Sequence, residues 1–273
     1  MPNYYPAQDS RYLFLQQWGL DTLITTICWS VACAALLQIT MITPGPLLVV
    51  GSSVWWAVMF FRLREAIKNP DSWQADFYRG HVALILLLLF AVGMATICMM
   101  CFFVGRNILN YMTLPGAVLL IGRALPGKWL SQVRLLIQSV AFAAACAIPA
   151  FYFSFTLKPL RMLTTGPVWY LGLLFFLMAR ERERLRTQAT DSQGIILGTV
   201  TLILLLAATL VSSVTAPMFE RTLCVTIAIG AGCLQGFCRL KALVPTPVAL
   251  ALSWLSMALP AVLGIIIYAP KSW

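Results

Sequence analysis

Six of the nine carboxylates in this chain fall in two polar intervals. The first, Arg62 to His81, reads RLREAIKNPDSWQADFYRGH and sets Asn69, Asp71 and Asp76 among Arg62, Arg64, Lys68 and Arg79. The second, Arg180 to Gln193, reads RERERLRTQATDSQ. Carboxylates flanked by arginine and lysine allow two readings. In one, acids and bases pair within a solvated face, as charge runs usually do, and Arg180, Glu181 and Arg184 lie at helical pairing distances. In the other, hard carboxylate oxygens hold Mg2+ against substrate phosphate while Arg and Lys neutralise the remaining charge. The second reading puts any chemistry where the two intervals meet, beside apolar helices that would hold a lipid tail.

Everything around these intervals is apolar. Of 273 residues, 60% are hydrophobic and 10% charged, with a mean hydropathy of +0.86. A soluble domain carries about 25% charged residues. One globular core cannot hide this much apolar surface, so the composition predicts an all-α integral membrane protein, a single polytopic domain over 1–273. Nine apolar segments read as helices: Leu20–Ile42, Leu47–Phe61, Val82–Val104, Asn107–Gly122, Leu135–Leu157, Leu163–Ala179, Gly194–Ala216, Thr222–Cys238 and Pro245–Tyr268. Thr43-Pro44-Gly45-Pro46 reads as a tight turn between the first two.

With the N-terminus cytoplasmic, nine spans put 14 of the 19 Lys and Arg residues inside and 5 outside, as the positive-inside bias expects. The C-terminus is then outside, and both acidic intervals are cytoplasmic. The net charge of +10 reports this topology and contact with anionic membrane lipid. No basic run with interleaved aromatics points to nucleic acid. Residues Met1 to Gly19 lack the basic-then-apolar order of a cleaved signal.

Polar chemistry at membrane depth is sparse. Asp21 and Glu220 lie at helix ends, and Gln38, Gln138 and Gln235 are the main polar side chains within spans. Ion-coupled transporters place carboxylates or histidines inside the bundle, so a transporter ranks last among the functional classes. The one histidine, His81, reads as an interfacial residue opening the third helix. Cys98 and Cys101 form CMMC, but no charge or imidazole stands nearby to activate a thiol, so they read as small hydrophobes.

Several stretches, in order, resemble the UbiA-type intramembrane prenyltransferase superfamily. SRYLFLQQWGLDTLITTICWSVA is similar to its opening segment, and Asn69 matches the Asn of its first motif, NDxxDxxxD. KWLSQVRLLIQSVAFAAACAIPAF resembles the stretch into its fifth helix. VWYLGLLFFLMARERERLRTQATDSQGIILG resembles the sixth helix and second acidic motif. The chain departs from the pattern at Pro70, Trp73 and Phe77, where that motif has aspartates, with Asp71 and Asp76 as displaced neighbours. In the second motif Glu181 stands for the leading aspartate, and Arg184 or Leu185 falls where the next acid belongs.

The resemblance implies an enzyme that transfers a prenyl group from an isoprenoid diphosphate to an aromatic or lipid acceptor, or cyclises the prenyl chain. It implies Mg2+ held by Asn69, Asp71, Asp76, Glu181 and Asp191, with Lys68, Arg79, Lys128 and Arg180 on the diphosphate. No general base is identified. The degraded motifs equally fit a non-catalytic relative, a lipid-binding, scaffold or assembly subunit that keeps the bundle without the metal.

Overall fold

The computed structural model describes residues 14–15, 17–36, 39, 43–68, 75–104, 107–124, 131–153 and 166–187, with scattered positions between 199 and 266. Among the described residues the regular structure is helical, without strands. The helices are α1 (Leu20–Leu36), α2 (Pro44–Lys68), a short α3 (Ala75–Gly80), α4 (Val82–Met99), α5 (Asn107–Ala124), α6 (Ser131–Phe153) and α7 (Gly166–Thr187). A π-helical turn, Met100–Val104, extends α4. The first six apolar segments therefore all form helices. The last three lie largely outside the described residues.

Three described helices are long and apolar enough to cross a membrane: Pro44–Lys68, Val82–Phe102 and Gln132–Tyr152. The shorter apolar helices are Leu20–Ala35, Ile108–Leu119 and Val168–Arg180. Along Val82–Phe102 only 17% of the apolar window is buried inside the protein. Leu87, Phe90, Ile97 and Phe102 stand outward. A continuous apolar face of this kind suits hydrocarbon and would be an aggregation surface in water. Cys98 and Cys101 lie exposed on this helix, where a thiol can still pack as a small hydrophobe.

Several sequence boundaries shift, and the two on α2 each have a local reason. Pro44 and Pro46, expected in a turn, open α2 instead. Proline suits the first helical positions because its missing N–H would be unpaired there anyway and its φ is already helical. At the other end, the apolar pattern predicts a stop near Phe61, but RLREAIK carries α2 on to Lys68. These are mostly good helix formers, and propensity continues the helix where hydrophobicity stops. Much of the first polar interval is thus helix rather than loop.

Packing makes the helices run up and down. Asp21 at the start of α1 meets Arg62 near the end of α2. Trp56 donates from Nε1 to the Leu89 carbonyl at 2.9 Å, and the Thr96 and Ser52 hydroxyls meet at 2.8 Å, so α4 runs against α2. Tyr111 and Tyr152 set α5 against α6, and Phe142 beside Phe175 sets α6 against α7. The starts of α1, α4 and α6 and the ends of α2, α5 and α7 therefore share one end, here the proximal end.

Helix α6 packs against α1, α2, α5 and α7. Its alanines permit this: Ala143, Ala144 and Ala147 are buried with Trp29, Val50, Leu171 and Leu174. Gly172 brings α7 so near that a Cβ there would sit 2.8 Å from Val140 Cγ2 and 3.0 Å from its Cα. At the distal end the Tyr152 hydroxyl donates to the Val104 carbonyl at 2.7 Å. This ties α6 to the π turn, where backbone pairing is irregular.

Candidate functional site

Gly19 holds the left-handed φ of +65°, which turns the chain into α1 and lets Trp18 and Gln17 meet the next elements. Trp55 donates from Nε1 to the Trp18 carbonyl at 2.8 Å, and the Tyr78 hydroxyl donates to the Gln17 carbonyl at 2.7 Å. These bonds anchor α2 and α3 to the segment before α1. Under them, Arg62 Nη2 lies 3.6 Å from Asp21 Oδ1. Asp21 is 2% exposed and Arg62 retains 18% side-chain exposure. Burial raises the Tyr78 phenol above its ordinary value, while the neighbouring Arg62 pulls it down. Asp21, Arg62 and Tyr78 together form a polar knot at the proximal end.

Asp21 also faces a cavity of about 210 Å³ between α1, α6 and α7. Its polar wall comprises Asp21, Thr22, Thr25, Gln138 and Ser139. Leu135, Phe142, Phe175, Met178 and Ala179 supply the apolar wall. The Phe142 and Phe175 rings meet edge-on, 4.6 Å apart at 67°. Helical spacing explains the set: Asp21, Thr22 and Thr25 share one face of α1, and Leu135, Gln138, Ser139 and Phe142 one face of α6.

The sequence-predicted residues fall as follows. Lys68 ends α2, and Asp76 and Arg79 lie on α3; all three are exposed. Among the described residues they make no ion pair with one another. Arg180 is partly buried near the proximal end of α7. Glu181 follows it on the same helix, and its side chain lies outside the described residues. Asn69, Asp71, Lys128 and Asp191 also lie outside them. Thus Lys68, Asp76, Arg79, Arg180 and the backbone of Glu181 share the proximal end, and the cavity opens between helices at that same end.

Mg2+ requires several hard oxygens at once. The cavity offers one carboxylate, Asp21, already paired with Arg62, and no group of three acidic, histidine or cysteine ligands occurs among the described residues. Of the side chains expected to hold Mg2+, Asp76 is described, and it lies exposed on α3 rather than on the cavity wall.

No protein-family model, curated protein or solved structure matches this chain.

From the sequence, Asp21 reads only as a helix-end residue and Arg62 has no evident partner. Their 41-residue separation hides the pair. The available signal was a carboxylate amid Thr22, Thr25 and Thr26 at the mouth of an apolar run, since a charge placed there requires compensation. His81 is exposed, its Nδ1 2.9 Å from the Phe77 carbonyl and its ring stacked on Phe77 at 4.7 Å.

Proposed function

We propose that this chain is an integral membrane protein of nine spans, N-terminus cytoplasmic and C-terminus outside, that binds an isoprenoid diphosphate at its proximal end as a UbiA-like prenyltransferase. The observation that carries this reading is the gathering of Lys68, Arg79 and Arg180 at one end of an apolar bundle. Basic side chains on this rim would hold the diphosphate, and the apolar helix faces would take the prenyl chain. Cation stabilisation of a departing diphosphate is the kind of electrostatic contribution that often dominates catalysis.

A second reading is favoured by Asp21. The one carboxylate among the described residues of the cavity is committed to Arg62, as suits a structural bundle that binds lipid without turning it over. Incubating membranes that contain the chain with labelled farnesyl or geranylgeranyl diphosphate separates the two. Release of labelled diphosphate above that of control membranes supports the transferase. Saturable retention of intact substrate without release supports the non-catalytic relative, and the absence of both results overturns the isoprenoid reading.

A further inference from the structure

We infer that the cavity between α1, α6 and α7 is a binding site for a small neutral alcohol or phenol, held by its hydroxyl proton against a wall of hydrogen-bond acceptors.

A side-chain hydroxyl has one proton and two lone pairs. Thr25 donates its proton to the Asp21 carbonyl at 2.7 Å, and Ser139 donates to the Leu135 carbonyl at 2.8 Å. Thr22 donates to the Asp21 carboxylate at 3.3 Å, and an ionised carboxylate can only accept. Four of the five described polar side chains on the wall thus have lone pairs alone to offer. Gln138 is the fifth, and its amide has no partner among the described residues. A phosphate or carboxylate, which only accepts, would meet one donor group here and several repelling acceptors. A ligand that donates meets a choice of acceptors.

Charge and size narrow the class further. Arg62, 3.6 Å from Asp21, balances the carboxylate, so no uncompensated charge attracts a cation. A neutral donor satisfies the wall without a second ion. A cavity of about 150 Å³ lined by apolar side chains accommodates benzene. The volume here, about 210 Å³, takes one substituted ring or a short branched chain. Phe142, Phe175 and Met178 offer aromatic and thioether contacts to such a body. The inference does not rest on the isoprenoid reading, because Lys68, Asp76, Arg79 and Arg180 do not line the cavity.

The test uses the full chain in detergent, titrated with 4-ethylphenol, its methyl ether 4-ethylanisole, and 4-ethylphenyl phosphate, read by saturation-transfer NMR. Saturable binding of the phenol, about tenfold weaker binding of the ether and weaker binding still of the phosphate are expected, because only the phenol donates. Ala179→Phe, which fills the cavity, should abolish phenol binding while the thermal midpoint stays near that of the parent. Equal affinity for phenol and ether would reduce the site to apolar partition and overturn the inference. Tighter binding of the phosphate, or no saturable binding of the phenol, would overturn it too. Should Ala179→Phe fail to fold, the comparison of phenol with ether on the parental chain decides the question.

Discussion

Arg62 on α2 reaches across to Asp21 at the start of α1, 3.6 Å from Nη2 to Oδ1, and this contact ties the first polar interval to the first helix. Asp21→Asn should leave the largely buried guanidinium without its counter-charge. The expected loss is about 2–3 kcal/mol, below the range for a fully dry pair because Arg62 keeps some water. Asp21→Asn combined with Arg62→Met should recover most of it. Thermal unfolding of the three detergent-solubilised variants measures this. A double variant no better than the single would show that the pair does not act as a unit.

Tyr78 makes the same knot sensitive to alkali. Burial raises the folded-state pKa of its phenol above the ordinary value of 10.0, with Arg62 opposing and Asp21 adding to the rise. The folded state thus holds its proton more tightly than the unfolded state. The associated stability is fully present below about pH 10 and declines as pH climbs through the raised value. The phenolate also loses the proton donated to the Gln17 carbonyl. Tyr78→Phe should flatten the thermal midpoint against pH above 10 relative to the parent. An unchanged alkaline slope would contradict this.

Gly172 tests the close approach of α6 and α7. Gly172→Ala places a Cβ 2.8 Å from Val140 Cγ2 and should destabilise by about 1–3 kcal/mol. Adding Val140→Ala removes that methyl but leaves the backbone contact at 3.0 Å, so only part of the loss should return. Full recovery would mean that the clash lies in the side chain alone. Thermal midpoints in one detergent make the comparison.

The apolar segments were legible because hydrophobicity and length decide helices in lipid, and six of the nine expected appear as helices among the described residues. Helix ends were less legible. Prolines at 44 and 46 read as a turn from composition but suit a first helical turn, and RLREAIK prolongs α2 by propensity alone. The gathering of Lys68, Asp76, Arg79 and Arg180 at one end follows from alternating helix direction, which the segment count already implies. The Asp21–Arg62 pair and the cavity wall were not legible. They depend on which face of α6 turns toward α1, and the alanine-rich α6 sequence carries small residues on more than one face.

The most direct test of the isoprenoid reading is a titration of the purified chain with a farnesyl or geranylgeranyl diphosphate analogue, with and without Mg2+. The same titration is run on Asp71→Ala, Glu181→Ala and Lys68→Ala combined with Arg79→Ala. Removing two cations from the rim should weaken diphosphate binding about tenfold or more, since charge-assisted bonds to phosphate are roughly twice as strong as neutral ones. Affinity that rises with Mg2+ and falls in Asp71→Ala and Glu181→Ala is the result expected of a prenyltransferase. No saturable binding, or affinity indifferent to Mg2+ and to every substitution, would contradict a diphosphate site at the proximal end.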